Sequence, residues 1–172
     1  MKKYITAITL GVILTSCSSA AQANNVQTVQ VATVKQTQQT DIAKTLLLKG
    51  KMSKAVSALK SRVHKTWYVF SGWQPTGWDC SGLTMWFADQ LGYDIPHSAN
   101  KQAHLSHVVK TPEVGDLVLF GYKGTNTFFH ASVYIGNGQV IHAGFREGER
   151  TSILPLNSPS VKNTKIRYIR LG

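Results

Sequence analysis

The chain has 172 residues, 42% of them hydrophobic, and a formal net charge of +11. That length suffices for one domain with a real core plus one appendage, and the composition is too apolar for a disordered chain. Only two cysteines occur, Cys17 and Cys80, which excludes a disulfide-stapled scaffold.

The charge is uneven. Lys35 to Lys65 holds eight basic residues against the single acid Asp41, and Lys162 to Arg170 holds four basic residues and no acid. Between them, Thr66 to Val161 carries five basic and seven acidic residues. The basicity belongs to the flanks. It suits a polyanion, or equally a solvated face that aids solubility.

In chain order, Lys2 and Lys3 precede an apolar run from Ile5 to Leu14. Residues 1–23 read as a secretory signal, too short for a membrane span. Leu14-Thr15-Ser16-Cys17 has the form of a lipoprotein box, which would leave Cys17 as a lipid-modified N-terminus. Ala21-Gln22-Ala23 has the form of an ordinary cleavage site, which would discard it. The box directly follows the apolar run, which favours the lipoprotein route. Residues 24–51 read as a polar, basic linker with room for a short helix over Ile42 to Leu48, broken at Gly50. Residues 52–172 read as the folded domain.

That domain opens with an amphipathic helix, marked by Met52, Ala55, Val56, Leu59 and Val63. The stretch Trp67-Tyr68-Val69-Phe70 leads into a loop with Gly72, Pro75 and Gly77. A second helix is expected from Cys80 to about Leu91, because Leu83, Trp86, Phe87 and Leu91 recur at helical spacing. Asp79 can cap its start and Gly92 can end it. From Val114 the pattern becomes strands: Leu117–Phe120, Phe129–Ile135, Gln139–His142 and Lys165–Leu171. Helices first and strands afterwards imply an α+β domain with an antiparallel sheet.

Cys80 at a helix start is open to two readings. The helix dipole favours a reactive thiolate, whereas free cysteines are also common as inert buried residues. A nucleophile needs a base, and the base an orienting group. Of six histidines, His64 falls on the first helix. His97, His104 and His107 lie in a polar loop at a spacing that matches no common metal-ligand pattern. His130 and His142 flank the hairpin signal Gly136-Asn137-Gly138. A two-residue turn would place them on opposite faces. A three-residue loop over Gly136 to Gly138 would set His142 opposite Ser132 and diagonal to His130, within hydrogen-bonding reach.

A series of motifs then appears in order: Tyr68-Val69-Phe70-Ser71-Gly72, Asp79-Cys80-Ser81-Gly82-Leu83, Ile95-Pro96 with Ser98 and Gln102, and Gly115-Asp116-Leu117-Val118. His130-Ala131-Ser132-Val133-Tyr134-Ile135-Gly136 and Val140-Ile141-His142-Ala143 complete it. From about Met52 to His142 the chain resembles the NlpC family of cell-wall cysteine peptidases, papain-like in fold. The resemblance implies a peptidoglycan endopeptidase that hydrolyses stem-peptide amide bonds, between D-glutamate and the diamino acid. It implies Cys80 as nucleophile, His130 as base and then acid, and His142 as the orienting group, with no cofactor and no metal. Tyr68 resembles a residue beside the nucleophile that holds substrate or oxyanion. Asp79 and Ser81 resemble residues lining the pocket for the stem-peptide end. The chain departs from the family pattern at Ser71, Val114, His97 and Ser132. An amidase or cross-bridge hydrolase with the same triad stays open, as does a non-catalytic wall-binding module. Expected partners are peptidoglycan stems and, through the basic flanks, an anionic wall polymer or membrane surface. No nucleic acid is expected, since no such motif accompanies the export signal.

Overall fold

The computed structural model describes the backbone from Ser19 to Gly172 and side chains from Val34 onward. The signal reading lies outside the described residues up to residue 18, as do both fates of Cys17. Two units are distinguished, one ending at Lys44 and the other running from Thr45 to Gly172.

Helix α1 runs from Ser19 to Lys60 without interruption. This corrects the expectation of a linker over residues 24–51 with a break at Gly50. The missing apolar period bears on packing, not on helix formation. Side chains from Val34 to Lys51 are exposed, so no face is selected there. Propensity alone favours the helix: alanine, leucine, lysine and glutamine abound, and proline is absent from Ser19 to Lys60. The lone Gly50 costs about 1 kcal/mol relative to alanine. The apolar face appears only at the end, where Ala55, Val56 and Leu59 are buried.

After α1 come the short strands β1 (Trp73–Gln74) and β2 (Gly77–Trp78), then helix α2 (Cys80–Leu91) and the single-turn α3 (Ala99–Gln102). The expected bounds of α2 hold. Asp79 accepts the Gly82 N–H, and Gly92 terminates the helix in the left-handed conformation at φ 89°. A six-stranded antiparallel sheet follows, comprising β3 (Val108–Val109), β4 (Leu117–Tyr122), β5 (Phe128–Gly136), β6 (Gln139–His142), β7 (Ser152–Pro155) and β8 (Thr164–Ile169). Its order is β3-β8-β4-β5-β6-β7, with the short helix α4 (Pro159–Lys162) before β8. This is the α+β architecture expected. Strands β1, β2, β3 and β7 were not legible as such; two to four residues leave little alternation to read.

The sheet is apolar on both sides. Leu117, Leu119, Ala131, Val133 and Ile141 join Leu83, Phe87 and Leu91 of α2 and Leu59 of α1 in the main core. Val118, Phe120 and Val140 form a second cluster with Val161 on the other face. Asp116 anchors the start of β4. Its two oxygens accept from Arg170 Nε and Nη2 at 3.0 and 2.9 Å, while the Glu113 N–H closes the turn at 2.7 Å. This bidentate pair joins the two neighbouring strands β4 and β8 at one end.

The β5–β6 hairpin reaches the expected pairing by a different device. Tyr134 stands opposite Val140, as a three-residue loop would require. Yet Gly136 pairs with Gln139, so the turn itself has two residues, Asn137 and Gly138, at φ 53° and 68°. The extra residue is absorbed as an irregularity between Tyr134 and Gly136. A bulge shifts parity by one, which brings His130 and His142 to one face.

Gly82, in the first turn of α2, lies against the backbone of Gly72. A Cβ on Gly82 would overlap the Gly72 carbonyl oxygen. Gly82→Ala is therefore expected to cost about 1–3 kcal/mol by overpacking. Thermal unfolding followed by circular dichroism should show a midpoint lower by several degrees.

Candidate active site

Cys80 sits at the first position of α2 and is the free cysteine among the described residues. Asp79 builds the platform beneath it. One carboxylate oxygen accepts the Gly82 N–H at 2.7 Å and the Ser81 hydroxyl at 3.0 Å, and lies 3.0 Å from His97 Nε2. The other accepts the Ser71 N–H at 3.1 Å. Buried Gln102 fixes the same turn from behind. Its amide donates to the carbonyls of Ser81 and Pro96, and its oxygen accepts from Thr84. Asp79 and Ser81 are thus buried and engaged with one another. Tyr68 is half-buried close by. Burial first, then the charges of Cys80 and Asp79, push its phenol above the ordinary value.

The helix dipole favours a thiolate at Cys80, and the surroundings of the thiol work against it. Burial pushes the Cys80 pKa up and the Asp79 carboxylate adds to the rise. Hydrogen bonds from the backbone of Ala131, Ser81 and Cys80 work in the opposite direction. The helix-start dipole is outweighed because desolvation penalises the charged form directly. The bond with Ala131 brings the sulfur against β5, next to the residue that carries the His130 ring.

His130 and His142 are 2% and 5% exposed. His130 Nε2 lies 3.1 Å from His142 Nδ1. The Gly144 N–H also points at His142 Nδ1, at 3.2 Å, and the opposite ring nitrogen meets Ser152 Oγ at 3.0 Å. Burial, then the neighbouring His142, holds the His130 pKa down at about 3. Burial lowers that of His142 to about 4, against the opposing charge of Glu149. At neutral pH burial keeps the thiol, held against β5 at Ala131, and the hydrogen-bonded imidazole pair in their neutral forms.

Two contributors were missed in the sequence. Phe145 stacks on His130 at a ring separation of 4.3 Å and lies 5.1 Å from His142, while remaining 49% exposed. Its loop is held by Glu149, which accepts from the Phe145 N–H at 2.7 Å and from Arg146 Nε at 3.1 Å. Ser152 is the other. Nothing in the periodicity marks either one, since both depend on where the β6–β7 loop returns. Of the loop histidines, His97 faces Asp79, and His104 bonds the Asn100 carbonyl and the Asn126 amide. Among the described residues, no group of three or more His, Cys, Asp or Glu side chains is placed to hold a metal ion.

The sequence profile of the NlpC/P60 family matches residues 65–170, more than half of the chain. The chain belongs to the NlpC/P60 family. It is 36% identical over 109 residues to the murein DD-endopeptidase MepH of Escherichia coli, covering 60% of this chain and 40% of that protein. It is 33% identical over 95 residues to a γ-D-glutamyl-L-lysine dipeptidyl-peptidase of Bacillus cereus, covering 54% and 28%. The matched segment thus spans less than half of either relative. Among solved structures, an NlpC/P60 family protein from Bacillus cereus superposes with a TM-score of 0.61 at 27% identity, covering 67% of this chain and 39% of that one. The NlpC/P60 domain of the peptidoglycan hydrolase SagA gives 0.58 at 25% identity, covering 70% and 98%.

Both histidine pKa values lie below the unfolded value of about 6.5. The unfolded chain therefore binds protons that the folded chain refuses. Stability is fully present above about pH 6.5 and falls as pH drops towards the folded values of about 4 and about 3. Denaturant midpoints measured from pH 7.5 to 4 should show this decline, and His130→Gln should flatten it. Phe145→Ala should admit water to the imidazole and raise the His130 pKa towards 6.5. An NMR titration of the ring would register the rise.

Proposed function

We propose that this chain is a cysteine peptidase of bacterial peptidoglycan. In this reading it cleaves the stem-peptide amide between the γ-carboxyl of D-glutamate and the diamino acid. The observation that carries the reading is the buried His130–His142 hydrogen bond on the strand that abuts the Cys80 thiol. Family membership and relatives named for peptidoglycan endopeptidase activity support it.

His130 removes the thiol proton as Cys80 sulfur attacks the γ-carbonyl carbon, forming the S–C bond and a tetrahedral oxyanion. The Cys80 backbone N–H, at the positive end of α2, donates to that oxyanion, and Tyr68 stands beside it. One such donor is typically worth about 10²–10³ in rate. The C–N bond then breaks, and the proton on His130 passes to the leaving amine of the diamino acid. Water enters, gives a proton to His130 and attacks the thioester carbonyl. The S–C bond breaks, and the sulfur recovers its proton. Because burial disfavours both the thiolate and the imidazolium, proton transfer accompanies attack instead of preceding it. His142 keeps the His130 ring in plane. Asp79 and Ser81 form the fixed wall of the pocket, with His97 on its outer side.

In this reading the chain works in the cell envelope, held there by a lipid on Cys17. Its basic flanks, exposed as Lys35, Lys44, Lys49 and Lys51 on α1, meet an anionic wall polymer or membrane surface. No helix among the described residues is long and apolar enough to cross a membrane. Cys80→Ala is expected to abolish release of soluble muropeptides from purified sacculi while leaving the circular dichroism spectrum unchanged. Undiminished release would defeat the reading. Mass spectrometry of products from defined muropeptides identifies the bond.

A further inference from the structure

The set of Cys80, His130 and His142 has a fourth member. Strands β6 and β7 pair so that Ser152 stands directly opposite His142. Its hydroxyl oxygen lies 3.0 Å from His142 Nε2, on the far side of the ring from His130.

The contacts around His142 determine where its proton resides. A backbone N–H can only donate, and the Gly144 N–H points at His142 Nδ1 at 3.2 Å. Nδ1 is therefore an acceptor, and the single ring proton of neutral His142 sits on Nε2. Ser152 Oγ is then the acceptor of that proton. Because His142 Nδ1 is an acceptor, His130 Nε2 must be the donor across their 3.1 Å contact. His130 Nδ1 is left without a proton, which is the form a general base requires. Reversing the His142 tautomer would set an Nδ1–H against the Gly144 N–H, donor facing donor, even though the Ser152 hydroxyl could turn to donate to Nε2. In a site this buried, such a mismatch leaves polar groups unsatisfied.

We propose that Ser152 is a positioning residue that accepts the His142 Nε2 proton, holds His142 in the tautomer the Gly144 N–H selects and, through it, keeps His130 Nδ1 free to take the Cys80 proton. The catalytic half of this proposal rests on the peptidase reading above; the tautomer half does not. The titratable groups acting on His142 are His130 from β5 and Glu149 from the β6–β7 loop. Phe145 from the same loop covers both rings. The Gly144 N–H sets the direction of the proton chain, and the Ser152 hydroxyl completes it by accepting at Nε2 without bringing a charge.

The test uses the full chain with ¹⁵N-labelled histidine at pH 7.5. Ring nitrogen shifts should report the Nε2-protonated tautomer for both His130 and His142 in the wild type. Ser152→Ala should convert His142 to a tautomer mixture and lower kcat on a defined muropeptide roughly 10- to 100-fold, the scale found for partners that orient metal-ligating histidines. KM should be unchanged. Ser152→Thr, which keeps the hydroxyl on a good strand residue, should restore both tautomer and kcat. A wild-type His142 protonated on Nδ1 would overturn the proposal. So would a Ser152→Ala protein with wild-type shifts and wild-type kcat, or a lowered kcat that Ser152→Thr fails to rescue. If the tautomers behave as stated while the wild type cleaves no muropeptide, the positioning role stands and the peptidase reading fails.

Discussion

The Asp79 carboxylate holds the site in place. It caps α2 through Gly82, ties down the Ser81 hydroxyl, fastens the preceding loop through Ser71 and meets His97. A buried carboxylate is tolerable only when its oxygens are satisfied, and four donors from three segments satisfy these. Cys80 follows immediately, so its sulfur is located by the cap together with its hydrogen bond to Ala131. The close approach of Gly82 to Gly72 serves the same end, since any side chain there would push the loop off the helix start.

Burial governs the chemistry that this placement permits. A solvent-exposed cysteine at a helix start would drift towards thiolate, and an exposed histidine would titrate near neutrality. Here the sheet and the aromatic cover of Phe145 remove water from the imidazoles, and Cys80 is half-buried, so burial favours the neutral form of each. In the proposed reaction the cost of charge separation falls on the moment of attack, where oriented backbone donors offset it. The same exclusion of water gives hydrogen-bond direction its importance. Within the buried histidine pair, each ring nitrogen must find the correct partner.

Much of this was legible in the residues. Local signals carried α2: the capping Asp79, the apolar recurrence through Leu91 and the terminating Gly92 all act within one or two turns. The meeting of His130 and His142 on one face followed from parity, although the chain achieves it by a bulge and a tight Asn137-Gly138 turn. Residues 24–51 misled because the absence of an apolar stripe was read as the absence of a helix. Helix formation needs only backbone hydrogen bonds and tolerant side chains, whereas a stripe records burial, which is absent from Val34 to Lys51.

By itself the sequence determined the α+β order, the helix that begins at Cys80, and the shared face of His130 and His142. These are properties of neighbours along the chain, or of a period that survives without knowledge of the fold. Tertiary structure alone decided the protonation states, the cover by Phe145 and the pairing of His142 with Ser152. Desolvation depends on everything that surrounds a group, and strand register across a ten-residue interval depends on how the intervening loop closes. Neither quantity is written in the spacing of residues. Both appear only once Glu149 has folded the loop back and β7 has joined the edge of the sheet.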